Sequence, residues 1–261
     1  MTVGVRVMQE KDEYIDKKEQ NKFSLMHGDF YRPFFSKSQD VSLKRGNAKI
    51  VIMRHAETLW NEPRKRIQGQ SSSSEIVLSD KGKQDIIATM SSTKTPDLLI
   101  LSPLLRCIQT AETWFGMQFK EIKTPTVFID GLKEVNAGRL EGLYVDELSE
   151  DSKKIWEHWK NDPLTFPGFP EGETLAEFQD RVLHTFSEIC NNYGDNPQDI
   201  YIIAHGGPMR VLGCFLNNKD LSHLWDHAVS NLEKIELTHD QIIRLQDYGQ
   251  ENNNNKHVTT L

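Results

Sequence analysis

Ile200-Tyr201-Ile202-Ile203-Ala204 runs straight into His205-Gly206-Gly207, and Lys49-Ile50-Val51-Ile52-Met53 runs straight into Arg54-His55. Both are short apolar runs rich in β-branched residues, the pattern of strands covered on both faces. Leu98-Leu99-Ile100-Leu101 is a third such run and leads into Ser102-Pro103 and a segment carrying Arg106; Thr126-Val127-Phe128-Ile129, ending at Asp130-Gly131, is a fourth. Between them the apolar spacing turns helical. It predicts helices from Ser79 (N-cap) to about Met90, from Ser102 (N-cap, with Pro103 at N1) to about Phe115, from Glu173 to about Asn191, and from Pro208 to about Leu216. Strands alternating with helices predict an α/β fold built on a mostly parallel sheet.

In open sheets of this kind ligands bind beyond the carboxyl ends of the strands, near a reversal of strand order. Arg54, His55 and His205 stand at such ends, and Arg106 follows one closely, so four groups distant in sequence are predicted to converge. Two arginines and two histidines suit a phosphoryl group. Guanidinium forks grip paired oxygens, and phosphoryl transfer asks mainly for positioning and charge neutralisation. A neutral imidazole can attack phosphorus and hold it covalently. Neighbouring cations favour that neutral form, while a protonated second histidine would donate to a phosphate oxygen.

Composition bounds the alternatives. The chain has 261 residues, 37% hydrophobic and 26% charged, with net charge −7. That balance argues against nucleic-acid partners, which need a basic footprint. No run approaches the roughly 18–20 apolar residues of a membrane span, and the first residues lack the apolar core of a secretory signal. Cys107, Cys190 and Cys214 are too far apart for a metal knuckle or a disulfide framework. A cytoplasmic protein is expected, with oligomeric state open, and the sequence offers no convincing ligand cluster for a metal cofactor. His223 and His227 have i, i+4 spacing but lack the context of a zinc pair. Composition divides the chain into a charged extension (1–46), a globular domain (47–248) and an Asn-rich tail expected to be disordered (249–261). Disorder, a clasp over the core or docking all fit the extension.

Six ordered motifs carry a family resemblance. Met53-Arg54-His55-Ala56-Glu57-Thr58 with Trp60-Asn61 resembles the Arg-His-Gly/Ala signature of the histidine phosphatase superfamily, the phosphoglycerate-mutase-like proteins. Gln68-Gly69 with Leu78-Ser79-Asp80-Lys81-Gly82-Lys83-Gln84 is similar to the next segment, and Ser102-Pro103-Leu104-Leu105-Arg106-Cys107-Ile108-Gln109-Thr110-Ala111 to the second arginine motif. Leu132-Lys133-Glu134 with Gly138, Leu140, Glu141 and Gly142, then Pro170-Glu171-Gly172-Glu173-Thr174-Leu175, then Ala204-His205-Gly206-Gly207 complete the order across about residues 48–246. The resemblance implies a three-layer α/β sandwich with a small helical cap. It implies that His55 is the nucleophile, that Arg54, Arg106 and His205 bind the phosphoryl oxygens with help from Asn61, and that Glu134 is the general acid and then base. Glu141 is less secure and is expected at most to pair with an arginine. Gly206 and Gly207 are expected to let the backbone approach the phosphate.

Ala56 stands where glycine is commoner, and Ser71 to Val77 departs from the family text at a pocket-bordering loop. About 39 residues separate Glu134 from Glu173, resembling the phosphatase branch more than mutases with their long insertion there. Trp156 and Trp159 in this stretch are expected to pack the cap. Hydrolysis of a small phosphomonoester (sugar phosphate, phosphoglycerate or phosphoserine-like) is the reading this favours. Mutase-type transfer, a phosphoprotein phosphatase docking through residues 1–46, and a non-catalytic phosphate-binding module are its rivals. Pro63-Arg64-Lys65-Arg66 is either a solvated loop or a second anion site using Arg64 and Arg66.

Overall fold

A computed structural model describes residues 48–258, except 62, 72, 91, 196 and 197. The 1–46 extension lies outside the described residues. The strands are β1 (Lys49–Arg54), β2 (Leu98–Leu101), β3 (Thr126–Phe128), β4 (Asp199–Ala204) and β5 (Lys234–Glu236). The helices are α1 (Asp80–Met90), α2 (Leu105–Phe115), α3 (Glu150–Asn161), α4 (Leu175–Tyr193), α5 (Gly206–Leu216) and α6 (His239–Val258).

The sheet order is β3-β2-β4-β1-β5. β1 to β4 are mutually parallel, and β5 closes the edge antiparallel to β1. The chain steps outward from β1 to β3 and then returns to insert β4 between β2 and β1. The order therefore reverses at the β1–β4 seam.

Alternate strand residues bury on opposite faces, as the two-residue side-chain period requires. Ile50, Ile52, Ile100, Ile200 and Ile202 join Phe178, Val182, Phe186, Met209, Leu212, Ile242 and Leu245 from α4, α5 and α6. Met53, Leu99, Leu101 and Ile203 join Ile86, Met90, Cys107 and Ala111 from α1 and α2. Two cores on two faces make the three-layer α/β sandwich. The cap is α3 with its flanking turns. Its Trp159 is buried against Phe166, Phe169, Phe178 and Trp225, so this tryptophan is cap packing.

Three details differ from the sequence reading. Ser102 does not cap α2, which begins at Leu105. Its hydroxyl lies 2.7 Å from His205 Nε2, and its N–H donates to Ile203 O in the sheet. β5 was not foreseen, because Lys-Ile-Glu offers one apolar residue between two charges. The expected tail from 249 is helical to Val258. Ile242 and Leu245 anchor α6 against α4, and Gly249 lets the two helices meet, since a Cβ there would fall 1.9 Å from Ser187 Oγ. Asparagine costs only about 0.6–0.7 kcal/mol per residue relative to alanine, too little to stop a helix already nucleated. Ser79, in contrast, caps α1 as read, its Oγ accepting the Gly82 N–H at 2.9 Å.

Candidate active site

The β1–β4 register pairs Arg54 with Ala204, so the next residues, His55 and His205, emerge side by side. Their ring centroids are 5.2 Å apart, and both rings are buried. His55 Nδ1 lies 2.7 Å from Ala56 O. A carbonyl can only accept, so Nδ1 carries the proton and Nε2 keeps its lone pair. Burial first, then the charges of Arg106 and Arg54, hold the His55 pKa well below its ordinary value of 6.5. The ring is neutral and oriented, with the lone pair of Nε2 unshared.

His205 is placed differently from expectation. Arg106 Nε donates to its Nδ1 at 3.1 Å. Its proton therefore sits on Nε2, donating to Ser102 Oγ at 2.7 Å. Burial, then Arg106, holds its pKa well below 6.5 as well. Both nitrogens are thus engaged by protein, and His55 and Arg106 form the cavity wall in front of the ring. Instead of presenting a protonated donor, His205 holds Arg106 in place. Cys107 packs beneath it, its thiol pushed up to about 12 by burial.

Arg106 is fully buried and also donates to Gly69 O at 2.8 Å, which fixes the Gln68-Gly69 turn. Arg54 donates to Val229 O at 2.6 Å, while its Nε is buried without a hydrogen-bond partner among the described residues. Asn61 Oδ1 accepts from Thr58 N and Oγ1 at 2.9 and 3.0 Å. That fixes its amide orientation, and its Nδ2 donors remain for a ligand. Glu134 accepts from Val135 N at 2.9 Å through Oε1 and from Gly207 N at 3.1 Å through Oε2. A Cβ on Gly207 would stand 2.0 Å from Glu134 Oε1. This glycine therefore makes room for the carboxylate. A Cβ on Gly206 would fall 3.0 Å from Arg210 Nη1 and 3.5 Å from Arg54 Nε. Among the described residues Glu141 pairs with no arginine; its Oε1 takes the N–H groups of Gln70 and Ala137 at 2.7 and 3.1 Å.

A cavity of about 370 Å³, within the range of small-ligand sites, is lined by most of these groups, though not by His205 or Glu141. Arg54, His55, Asn61, Arg106, Glu134 and Gly206 form its inner wall, and cap residues including Trp156 and Trp159 face them. Of the basic loop, Arg66 lines it and Arg64 does not. Arg64 is held by Asp146 and Glu147 at 2.8 and 2.7 Å, and Arg66 by Glu75 at 2.9 Å, so neither is a free anion receptor. His223 is bonded to Asp226 at 2.7 Å. Among the described residues, no group of three or more His, Cys, Asp or Glu side chains is arranged to hold a metal ion.

Two cations escaped the sequence reading. Arg181 spends all five N–H donors on Glu173 and the carbonyls of Gly131, Lys133 and Glu134, at 2.6–3.1 Å. It clamps the loop that carries the candidate acid. Arg210 lines the cavity, its Nε buried and without a hydrogen-bond partner among the described residues. Arg181 has no local signature. Arg210 has one, since it follows Gly206 by four residues and so shares its helix face.

Residues 50–245 match the histidine phosphatase superfamily (branch 1). The chain belongs to that superfamily. Its enzyme class is that of a phosphatase, a hydrolase of phosphoric monoesters. Phosphoserine phosphatase 1 of Hydrogenobacter thermophilus is 30% identical over 186 residues, covering 70% of this chain and 82% of the relative. "Probable phosphoglycerate mutase GpmB" of Escherichia coli is 32% identical over 174 residues, covering 65% and 73%. Among solved structures, Bacillus stearothermophilus YhfR aligns with a TM-score of 0.63 at 24% identity, over 73% of this chain and 92% of that one. That likeness supports the phosphoglycerate-mutase-like fold. Among the described residues no helix is long and apolar enough to cross a membrane.

Proposed function

We propose that this histidine phosphatase hydrolyses a small phosphomonoester through a phosphohistidine on His55. The observation that carries the reading is the His55 Nδ1–H bond to Ala56 O, which leaves Nε2 as a lone pair in a ring kept neutral beside Arg54 and Arg106. In the first step Nε2 attacks phosphorus and the bond to the ester oxygen breaks. A protonated Glu134 gives its proton to the departing oxygen. In the second step Glu134 takes a proton from water, the resulting hydroxide attacks phosphorus, and the P–N bond breaks. Inorganic phosphate leaves, and His55 returns to the neutral ring. Arg54, Arg106 and Asn61 neutralise and orient the non-bridging oxygens throughout. His205 serves by holding Arg106.

The test is release of inorganic phosphate from phosphoserine, sugar phosphates and p-nitrophenyl phosphate, by the native protein and by His55→Ala. Turnover by the native chain, reduced at least a thousandfold in the variant, is expected; turnover surviving the substitution would remove the covalent route. The likeness to a mutase-named relative gives a second reading its own readout. With 3-phosphoglycerate as substrate, inorganic phosphate marks hydrolysis and a positional isomer marks transfer.

A further inference from the structure

The outer part of the cavity carries a second concentration of positive charge. Lys65, Lys160 and Arg210 all line it, and none has a carboxylate partner within 4.0 Å among the described residues. This sets them apart from Arg64 and Arg66, each of which has a carboxylate partner. Lys160 and Arg210 share one fixed platform. Trp225 is oriented by its Nε1–H bond to Trp159 O at 2.9 Å, with Lys160 Nζ 4.4 Å and Arg210 Cζ 4.6 Å from its ring centre. Arg210 also reaches inward, its Nη1 beside Gly206 and near Arg54 Nε. One guanidinium thus links the phosphoryl clamp to the outer cations.

We infer that Lys160 and Arg210 over Trp225, with Lys65 lining the same cavity, form a second anion subsite, so that the substrate is a phosphomonoester carrying a further anionic group, a carboxylate or a second phosphate. This rests on the phosphatase reading above. Three like charges facing one cavity repel each other. Burial and the charges of Arg210 and Lys65 hold the Lys160 pKa below its ordinary value. A bound anion relieves that repulsion. The continuity of Arg210 with the inner clamp places the second anion a short chain of bonds from phosphorus. A cavity of about 370 Å³ likewise suits a compact ester.

Two substrate pairs test it: 3-phosphoglycerate against glycerol 3-phosphate, and fructose 1,6-bisphosphate against fructose 6-phosphate. The first pair probes a carboxylate and the second another phosphate. For at least one pair the native enzyme is expected to favour the anion-bearing member about tenfold or more in kcat/KM, mainly through KM. Combined Lys65→Met and Lys160→Met should bring that ratio close to one, and Lys65→Arg with Lys160→Arg should restore it. Both lysines are exposed and substitution keeps their apolar stems, so the fold survives. Equal turnover within both pairs, or a preference the methionine variant leaves intact, would overturn the subsite alone. Failure of the native chain to hydrolyse any of the four esters would instead overturn the phosphatase reading.

Discussion

The bond from His55 Nδ1 to Ala56 O, 2.7 Å long, determines which ring nitrogen can react, and burial of the ring determines that it is free to do so. The same burial ties stability to pH. His55 and His205 both titrate well below 6.5 when folded. Below pH 6.5 the unfolded chain therefore binds protons that the native one refuses. Their contribution is complete above pH 6.5 and is lost as pH falls, by up to about 1.4 kcal/mol per pH unit for each ring. Urea midpoints should drop between pH 6.5 and 5.5, and His205→Gln should flatten that slope. A chain that gains stability over this interval would contradict it. A second consequence concerns Gly207, whose missing side chain makes room for Glu134. Gly207→Ala should lower kcat about a hundredfold by displacing the carboxylate, while inhibition by inorganic phosphate changes little. A change confined to phosphate affinity would contradict that placement.

At the scale of elements, α4 supplies the brace. Its capping box, Thr174 with Glu177, sets its first turn, and Arg181 on its second turn holds the acid loop by three carbonyls and Glu173. Arg181→Met strands those acceptors and should destabilise the fold by about 3 kcal/mol. It should also lower kcat more than it raises KM, because Glu134 loses its fixed carbonyl. Denaturant titration with steady-state kinetics checks both, and an unchanged kcat would show that the loop holds itself. This brace could not be read from the sequence. A lone arginine on an amphipathic helix looks like a solvated side chain until the loop it grips is folded against it. The ends of β1 and β4 were legible because an apolar run and the loaded residue after it are neighbours in the chain. The start of α2 was misread for the opposite reason, since the hydroxyl of Ser102 answers to a ring on β4.

Across the whole molecule, the reversal of strand order at the β1–β4 seam draws the inner site from four separate stretches of chain. Arg54, His55, Arg106 and Gly206 of its inner wall could be anticipated because each stood at or just after a strand end, whereas Asn61 and Glu134 were reached only through the family resemblance. The outer wall could be anticipated only in part, since Lys65 lies in the basic loop that is a candidate second anion site by sequence. Lys160 lies on the cap and Arg210 on α5, and only packing around Trp225 brings them together. Arg64 and Arg66 drew notice because they are adjacent in sequence, but acidic partners on other segments had already claimed them. A cavity ringed with uncompensated cations should be stabilised as a unit by anions. Inorganic phosphate at a hundred times its Kd should add about 2.7 kcal/mol to stability and raise Tm by roughly 5–10 °C. Arg54→Met should reduce the shift, and a Tm indifferent to phosphate would contradict the anion site.

Rapid quenching of the enzyme during turnover of a 32P-labelled phosphomonoester probes the chemistry most directly. The expected result is a transient acid-labile, alkali-stable label approaching one per chain, mapped to Nε2 of His55 and missing from His55→Ala. Label on any other residue, or full-speed turnover by that variant, would contradict it.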